Sequence, residues 1–117
     1  LLYNRNMYDK MEDFIHSVFN VFKLINKKAE KQQDKRLKMI GLTIYNYVLN
    51  LSKIHNVNLD EIVEPDQINL IPIFEYISVN NIELYDLQTI RENDLDINNN
   101  SHIERFVLSH IYEITQK

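Results

Sequence analysis

The chain has 117 residues, 44% of them hydrophobic and 26% charged, with a formal net charge of −4; that balance is ordinary for a globular protein and far from the disordered class. One glycine, two prolines and no cysteine exclude zinc ribbons, disulfide scaffolds and thiol nucleophiles. They also exclude phosphate cradles and dinucleotide turns, which need several glycines where the backbone approaches a ligand. No apolar run approaches the ~20 residues of a membrane span, and the opening residues lack the layout of a signal peptide.

The length predicts one helical domain over residues 1–117, large enough to bury about two-thirds of its unfolded surface. The chain opens Leu1-Leu2-Tyr3 without a methionine and is expected to be a piece of a longer polypeptide. Abundant Ile, Asn, Lys and Tyr with little Gly, Pro, Ala and Arg point to an AT-rich genome. The lack of cysteine is compatible with the cytoplasm, which is the expected compartment. Two Asn-x-Ser matches, at Asn50 and Asn99, are of the kind that arises by chance in an asparagine-rich chain.

Charge is unevenly spread. Residues 1–53 hold ten Lys/Arg against five Asp/Glu, net +5, while residues 54–117 hold three against twelve, net −9. A solvated basic helix beside a solvated acidic surface accounts for this; the split also suits complementary docking.

Residues 5–29 place Met7, Met11, Phe14, Val18, Val21 or Phe22, and Ile25 at the three-four spacing of a helix face, and Phe19 widens the stripe. Residues 27–33 are polar without a breaker, so the chain either turns there or continues into the next helix. Asp34 is a candidate N-cap. From 34 to about 56 a second helix carries Leu37, Ile40, Ile44, Tyr47 or Val48, Leu51 and Ile54, with Leu42, Tyr45 and Leu49 on another side. Gly41 within it costs about 1 kcal/mol against alanine, which close approach of a neighbouring helix would explain. Asn56 is a suitable stop because asparagine tolerates the left-handed cap conformation.

Residues 57–66 read as a connector. Residues 69–79 have the β-branched and aromatic content of a strand, but a lone strand has no pairing partner here. A helix from about Asn69, with Pro72 in its first turn, is therefore expected. Asn80-Asn81 punctuates, a short helix is predicted over 82–92 with Leu84, Leu87 and Ile90 inward, and 93–100 is a loop. Ser101-x-x-Glu104 has the form of a capping box and predicts the start of a last helix with Ile103, Val107, His110, Ile111 and Ile114 on one side. The expected architecture is all-α: a compact bundle of four to six helices, the first two long and antiparallel.

Four constellations bear on chemistry. Arg105-Phe-Val-Leu-Ser-His110-Ile-Tyr112 resembles the R-x4-H-x-Y signature of HEPN-type RNases. That resemblance implies a dimer groove in which His110 moves a proton and Arg105 holds a phosphate. It covers about eight residues, and Phe106 stands where that family has a polar asparagine. Asp9, Glu12, Asp13 and His16 have metal-ligand spacing on the first helix, but the second helix offers no facing ligands, so neither a metal nor any other cofactor is expected. Residues 44–63 resemble the second core helix of the all-α nucleotide pyrophosphohydrolases. That family holds magnesium with two acidic pairs, and Ile40 and Thr43 occupy the places of the second pair, leaving no site for a hard cation.

Lys27, Lys28, Lys31, Lys35, Arg36 and Lys38 form the basic cluster, interleaved with Glu30 and Asp34. With a sequence pI of about 5.5, nucleic acid is not the expected partner. The leading expectation is a non-enzymatic helical module that binds another protein or itself. Wide apolar stripes and seven tyrosines suit an interface, with Tyr3, Met7, Tyr8, Met11 and Phe14 as the contact patch if exposed. The alternative is a dimeric RNase-like toxin using Arg105, His110 and Tyr112.

Overall fold

A computed structural model describes residues 2–59, 68–87 and 98–116, with side chains from residue 10 onward. Four helices follow in order, α1 (Leu2–Gln32), α2 (Lys35–Ile54), α3 (Ile71–Val79) and α4 (Asn100–Thr115), and the described residues contain no strand. The helix count is at the low end of the expected range. Residues 69–79 resolve to helix: Pro72 stands in its first turn, where its missing N–H costs no bond.

The first two helices form a hairpin. At 31 residues α1 is about 46 Å long, matching the 45 Å long dimension of the molecule. Gln33 and Asp34 reverse the chain: Gln33 takes φ 53°, the Asp34 amide donates to the Ala29 carbonyl at 3.0 Å, and the Asp34 carboxylate accepts from the Leu37 amide at 3.0 Å. The turn and the N-cap thus close both helix ends with local groups. Phe22 meets Tyr45 and Ile25 lies against Gly41, so contacts run in opposite senses along the two helices.

The corners are built without glycine. Asn56 sits at φ 55° and Asn81 at φ 52°. Each is followed by an amide that reaches back five residues, Val57 to Ser52 at 2.9 Å and Ile82 to Ile77 at 3.0 Å, the long bond of a left-handed helix stop. Asparagine was readable at two of these corners; Gln33 was not, because glutamine carries no such preference.

One layer is the hairpin and the other is α3 with α4. Phe14, Ile15, Val18, Val21 and Ile25 of α1 join Ile44 and Val48 of α2, Ile73 of α3, and Val107, Leu108 and Ile111 of α4 in a core closed to solvent. Each such side chain contributes roughly 1.5–3 kcal/mol relative to an exposed position. Phe14 stacks on Tyr76 with centroids 3.9 Å apart, fixing α3 over α1.

Two expectations are corrected. Residues 82–86 are not helical: after the left-handed Asn81 the backbone is held by α4 side chains instead of its own preceding turn. The Tyr85 amide donates to Ser109 Oγ at 2.8 Å, and the Glu83 carbonyl accepts from Arg105 Nε at 2.7 Å. The remainder of that predicted helix, 88–92, lies outside the described residues. Ser101 and Glu104 do not form a capping box, because α4 begins two residues earlier than a Ser101 cap would start it. Asn99 is its N-cap, accepting from the Ser101 and His102 amides at 3.0 and 3.3 Å, and Glu104 points into the fold. The expected α4 stripe of Ile103, Val107, His110, Ile111 and Ile114 does pack inward, and the burial extends beyond it. Phe106 through Ile111 are six consecutive buried residues, and since successive side chains step ~100° around a helix, it is enclosed on every side there.

Candidate functional site

The polar groups of α4 cluster at its junctions with the other elements. Glu104 Oε2 accepts from the Tyr47 hydroxyl at 2.7 Å and from the Tyr76 hydroxyl at 2.9 Å, so one carboxylate oxygen ties α2, α3 and α4 together. Burial, and then the Glu104 charge, pushes the Tyr76 phenol up to about 12 and raises Tyr47 further still. Both phenols therefore stay protonated donors at neutral pH, and a phenolate there is strongly disfavoured. This arrangement clamps three helices.

Arg105 and Tyr85 form a second junction. The Arg105 guanidinium lies 4.0 Å from the centre of the Tyr85 ring while its Nε donates to the Glu83 carbonyl. Ser109 Oγ donates to the Arg105 carbonyl at 2.6 Å and accepts from the Tyr85 amide. The Tyr85 hydroxyl lies 2.7 Å from His102 Nδ1. These contacts pin residues 83–85 on α4.

The three residues of the R-x4-H-x-Y match do not converge. Arg105 is engaged by Glu83 and Tyr85. His110 is 6% exposed, its ring edge-on to Phe106 at 4.4 Å. Tyr112 faces outward, edge-on to Phe74 at 6.1 Å. Arg105 and His110 also stand ~140° apart around the helix.

Glu12 Oε1 lies 3.8 Å from His16 Nε2 on α1, and among the described residues no group of three His, Asp or Glu is placed to hold a metal ion. Also among the described residues, no helix is long and apolar enough to cross a membrane.

Two residues of the predicted contact patch are described. Phe14 is fully buried and Met11 half-buried against the core, because this stripe of α1 faces α3 and the hairpin interior. The side chains of Tyr3, Met7 and Tyr8 lie outside the described ones. Lys27, Lys28, Lys31, Lys35, Arg36 and Lys38 are all exposed around the hairpin turn, and Asp34, expected to interleave with them, is engaged as the N-cap.

Exposed large apolar side chains are spread over the helices, at Leu24, Met39, Leu42, Ile54, Ile71, Val79 and Tyr112, and two of them, Met39 and Leu42, lie on α2 near an aromatic group. Phe19 and Phe22 stack at 5.9 Å, and Phe22 meets Tyr45 at 4.9 Å. Leu42 is 50% exposed and Met39 60%, and neither Tyr45 nor Leu49 packs on the core. The sequence signal for this group was the apolar content in excess of one stripe, at Phe19, Leu42, Tyr45 and Leu49. Glu104 left no such signal, because its tyrosine partners are 57 and 28 residues away.

No protein-family model matches the chain, and no curated protein or solved structure matches it either.

Proposed function

We propose that the chain is a non-enzymatic helical module that binds another protein through the outer face of the α1–α2 hairpin, self-association being the variant in which the partner is a second copy. The observation that supports this is the aromatic run in which Phe22 meets both Phe19 and Tyr45, with Leu42 and Met39 of the same hairpin left exposed. Large apolar side chains gathered on one solvent-facing surface favour a partner that covers them. Tyrosine and phenylalanine are suited to an interface core.

The test is site-specific photocrosslinking from position 42 compared with position 50, which is exposed at the edge of that face, together with sedimentation velocity over a wide concentration range. Adducts of one defined size formed from position 42, and lost in Tyr45→Asp while circular dichroism is unchanged, are the expected result. A monomer at all concentrations with no protein adduct from position 42 removes the reading. Metal-independent cleavage of labelled RNA, abolished by His110→Ala in a folded protein, would replace it with a nuclease.

A further inference from the structure

The hairpin turn is one pole of the molecule, because α1 spans the whole long dimension. Residues 27–38 around it hold six Lys/Arg, at Lys27, Lys28, Lys31, Lys35, Arg36 and Lys38, against Glu30 and Asp34, net +4. All six cations are exposed. On α1 they suit the negative end of the helix dipole. On α2 they do not. Lys35, Arg36 and Lys38 occupy the first turn, at the positive end, and that turn holds no acidic residue, which leaves the N-cap Asp34 carboxylate as one charge against three. A local preference overridden in this way is expected at a functional site. Two apolar side chains stand exposed beside the cations, Leu24 at 48% and Met39 at 60%. Leu24 precedes Lys27, Lys28 and Lys31 by three, four and seven residues, which is one side of α1, and Met39 follows Lys35 by four on α2. Glu30 stands about 120° around α1 from Leu24, and the nearest acid of α1 on Leu24's own side, Asp13, is about 16 Å back along the helix.

We infer that this tip docks on an anionic lipid surface, its cations meeting the headgroups while Leu24 and Met39 enter the apolar boundary. The surface is separate from the Phe22–Tyr45 aromatic run. Five of the six cations are lysine, a compact hydrated charge on a flexible stem, which suits mobile headgroups. Apolar side chains beside a basic cluster supply the second signal that attachment to a membrane surface needs. Nucleic acid is less suited, since bases are gripped by aromatic stacking or bidentate arginine, and residues 23–44 contain no aromatic side chain. The whole chain carries −4, but charges interact over about 8 Å at physiological salt, so the residues at the contact decide.

The experiment is co-sedimentation of the full chain with phosphatidylcholine vesicles containing about 30% phosphatidylserine, against pure phosphatidylcholine, at about 50 and about 500 mM salt. Binding to the anionic vesicles alone, weakened by salt, is the expected result. Lys31→Glu/Lys35→Glu should lose about tenfold or more in affinity, and the neutral Lys28→Gln/Lys31→Gln/Lys35→Gln should move in the same direction. Leu24→Ser/Met39→Ser should lose about fivefold. Circular dichroism should be unchanged in each. Lys10→Glu/Lys53→Glu makes the same change of charge towards the other end of the hairpin, and should stay within about twofold of the parent. No binding to anionic vesicles at low salt, or an equal loss from Lys10→Glu/Lys53→Glu, overturns the inference. Full binding by Leu24→Ser/Met39→Ser overturns its apolar part. Equal or tighter binding to single-stranded RNA or to polyglutamate overturns the choice of partner.

Discussion

Tyr47 and Tyr76, from α2 and α3, donate to the same oxygen of Glu104, at 2.7 and 2.9 Å. A single side chain on α4 therefore sets how the second layer sits on the hairpin. Glu104→Ala leaves two phenols unpaired, one of them in a nearly closed environment, and should cost about 2–5 kcal/mol by urea unfolding. Glu104→Gln keeps an acceptor but loses the charge, and should cost roughly half as much. A Glu104→Ala protein as stable as the parent would show that the clamp contributes nothing.

The same clamp makes the fold sensitive to alkali. Both phenols are raised above the ordinary value of 10.0, so between pH 10 and about 12 the unfolded chain loses these protons while the folded one keeps them. Stability is then fully present below pH 10 and falls as pH rises above it, by up to about 1.4 kcal/mol per pH unit for the buried Tyr47. Urea midpoints measured from pH 8 to 11 should bend downward near pH 10, and Tyr47→Phe should flatten the bend at the expense of stability at neutral pH.

Gly41 is buried on α2, and a Cβ there would meet Ile25 Cγ2 at 3.4 Å, an ordinary contact. Close approach does not demand glycine, and the conformational cost of glycine in a helix remains. Gly41→Ala should stabilise the protein by up to about 1 kcal/mol. Gly41→Leu should destabilise it by overpacking against Ile25. Thermal unfolding of the two variants gives the sign of each.

Gln33 is held at φ 53° with no local reason for glutamine. Gln33→Gly removes the side-chain crowding of the left-handed region and should raise stability by about 1 kcal/mol, whereas Asn56→Ala should lower it by about the same amount. Equal and opposite shifts in denaturation midpoint would establish that these corners are set by backbone conformation.

Ser109→Ala removes the acceptor of the Tyr85 amide without opening a large cavity. The exchange rate of that amide should rise at least tenfold while core amides of α1 stay protected. Uniform acceleration would mean that the 83–85 segment and the core open together.

These sites also show what the residues alone revealed. Asp34, Asn56 and Asn81 were legible because caps and left-handed stops depend on one side chain and its immediate neighbours. The stripes of α1 and α2 were legible from their period. The stripe Met11, Phe14, Val18, Val21 and Ile25 is the inward side of α1, as its period indicates, with Phe19 at its margin. Residues 82–86 look helical by spacing, yet hydrogen bonds from Arg105 and Ser109, over twenty residues away, take the backbone elsewhere. Glu104 fits the pattern of a local cap, and a distant pair of phenols claims it instead.

Enclosure of α4 over Phe106–Ile111 has a practical corollary for dissection. A helix wrapped on all sides is the keystone of the assembly, so cutting it away strips one wall from every neighbour at once. The hairpin alone would then be bare on both its inner and outer surfaces, with nothing to tell a partner which one to cover. On the proposed reading of the hairpin as a docking element, the last helix fixes which of its two surfaces stays open to a partner.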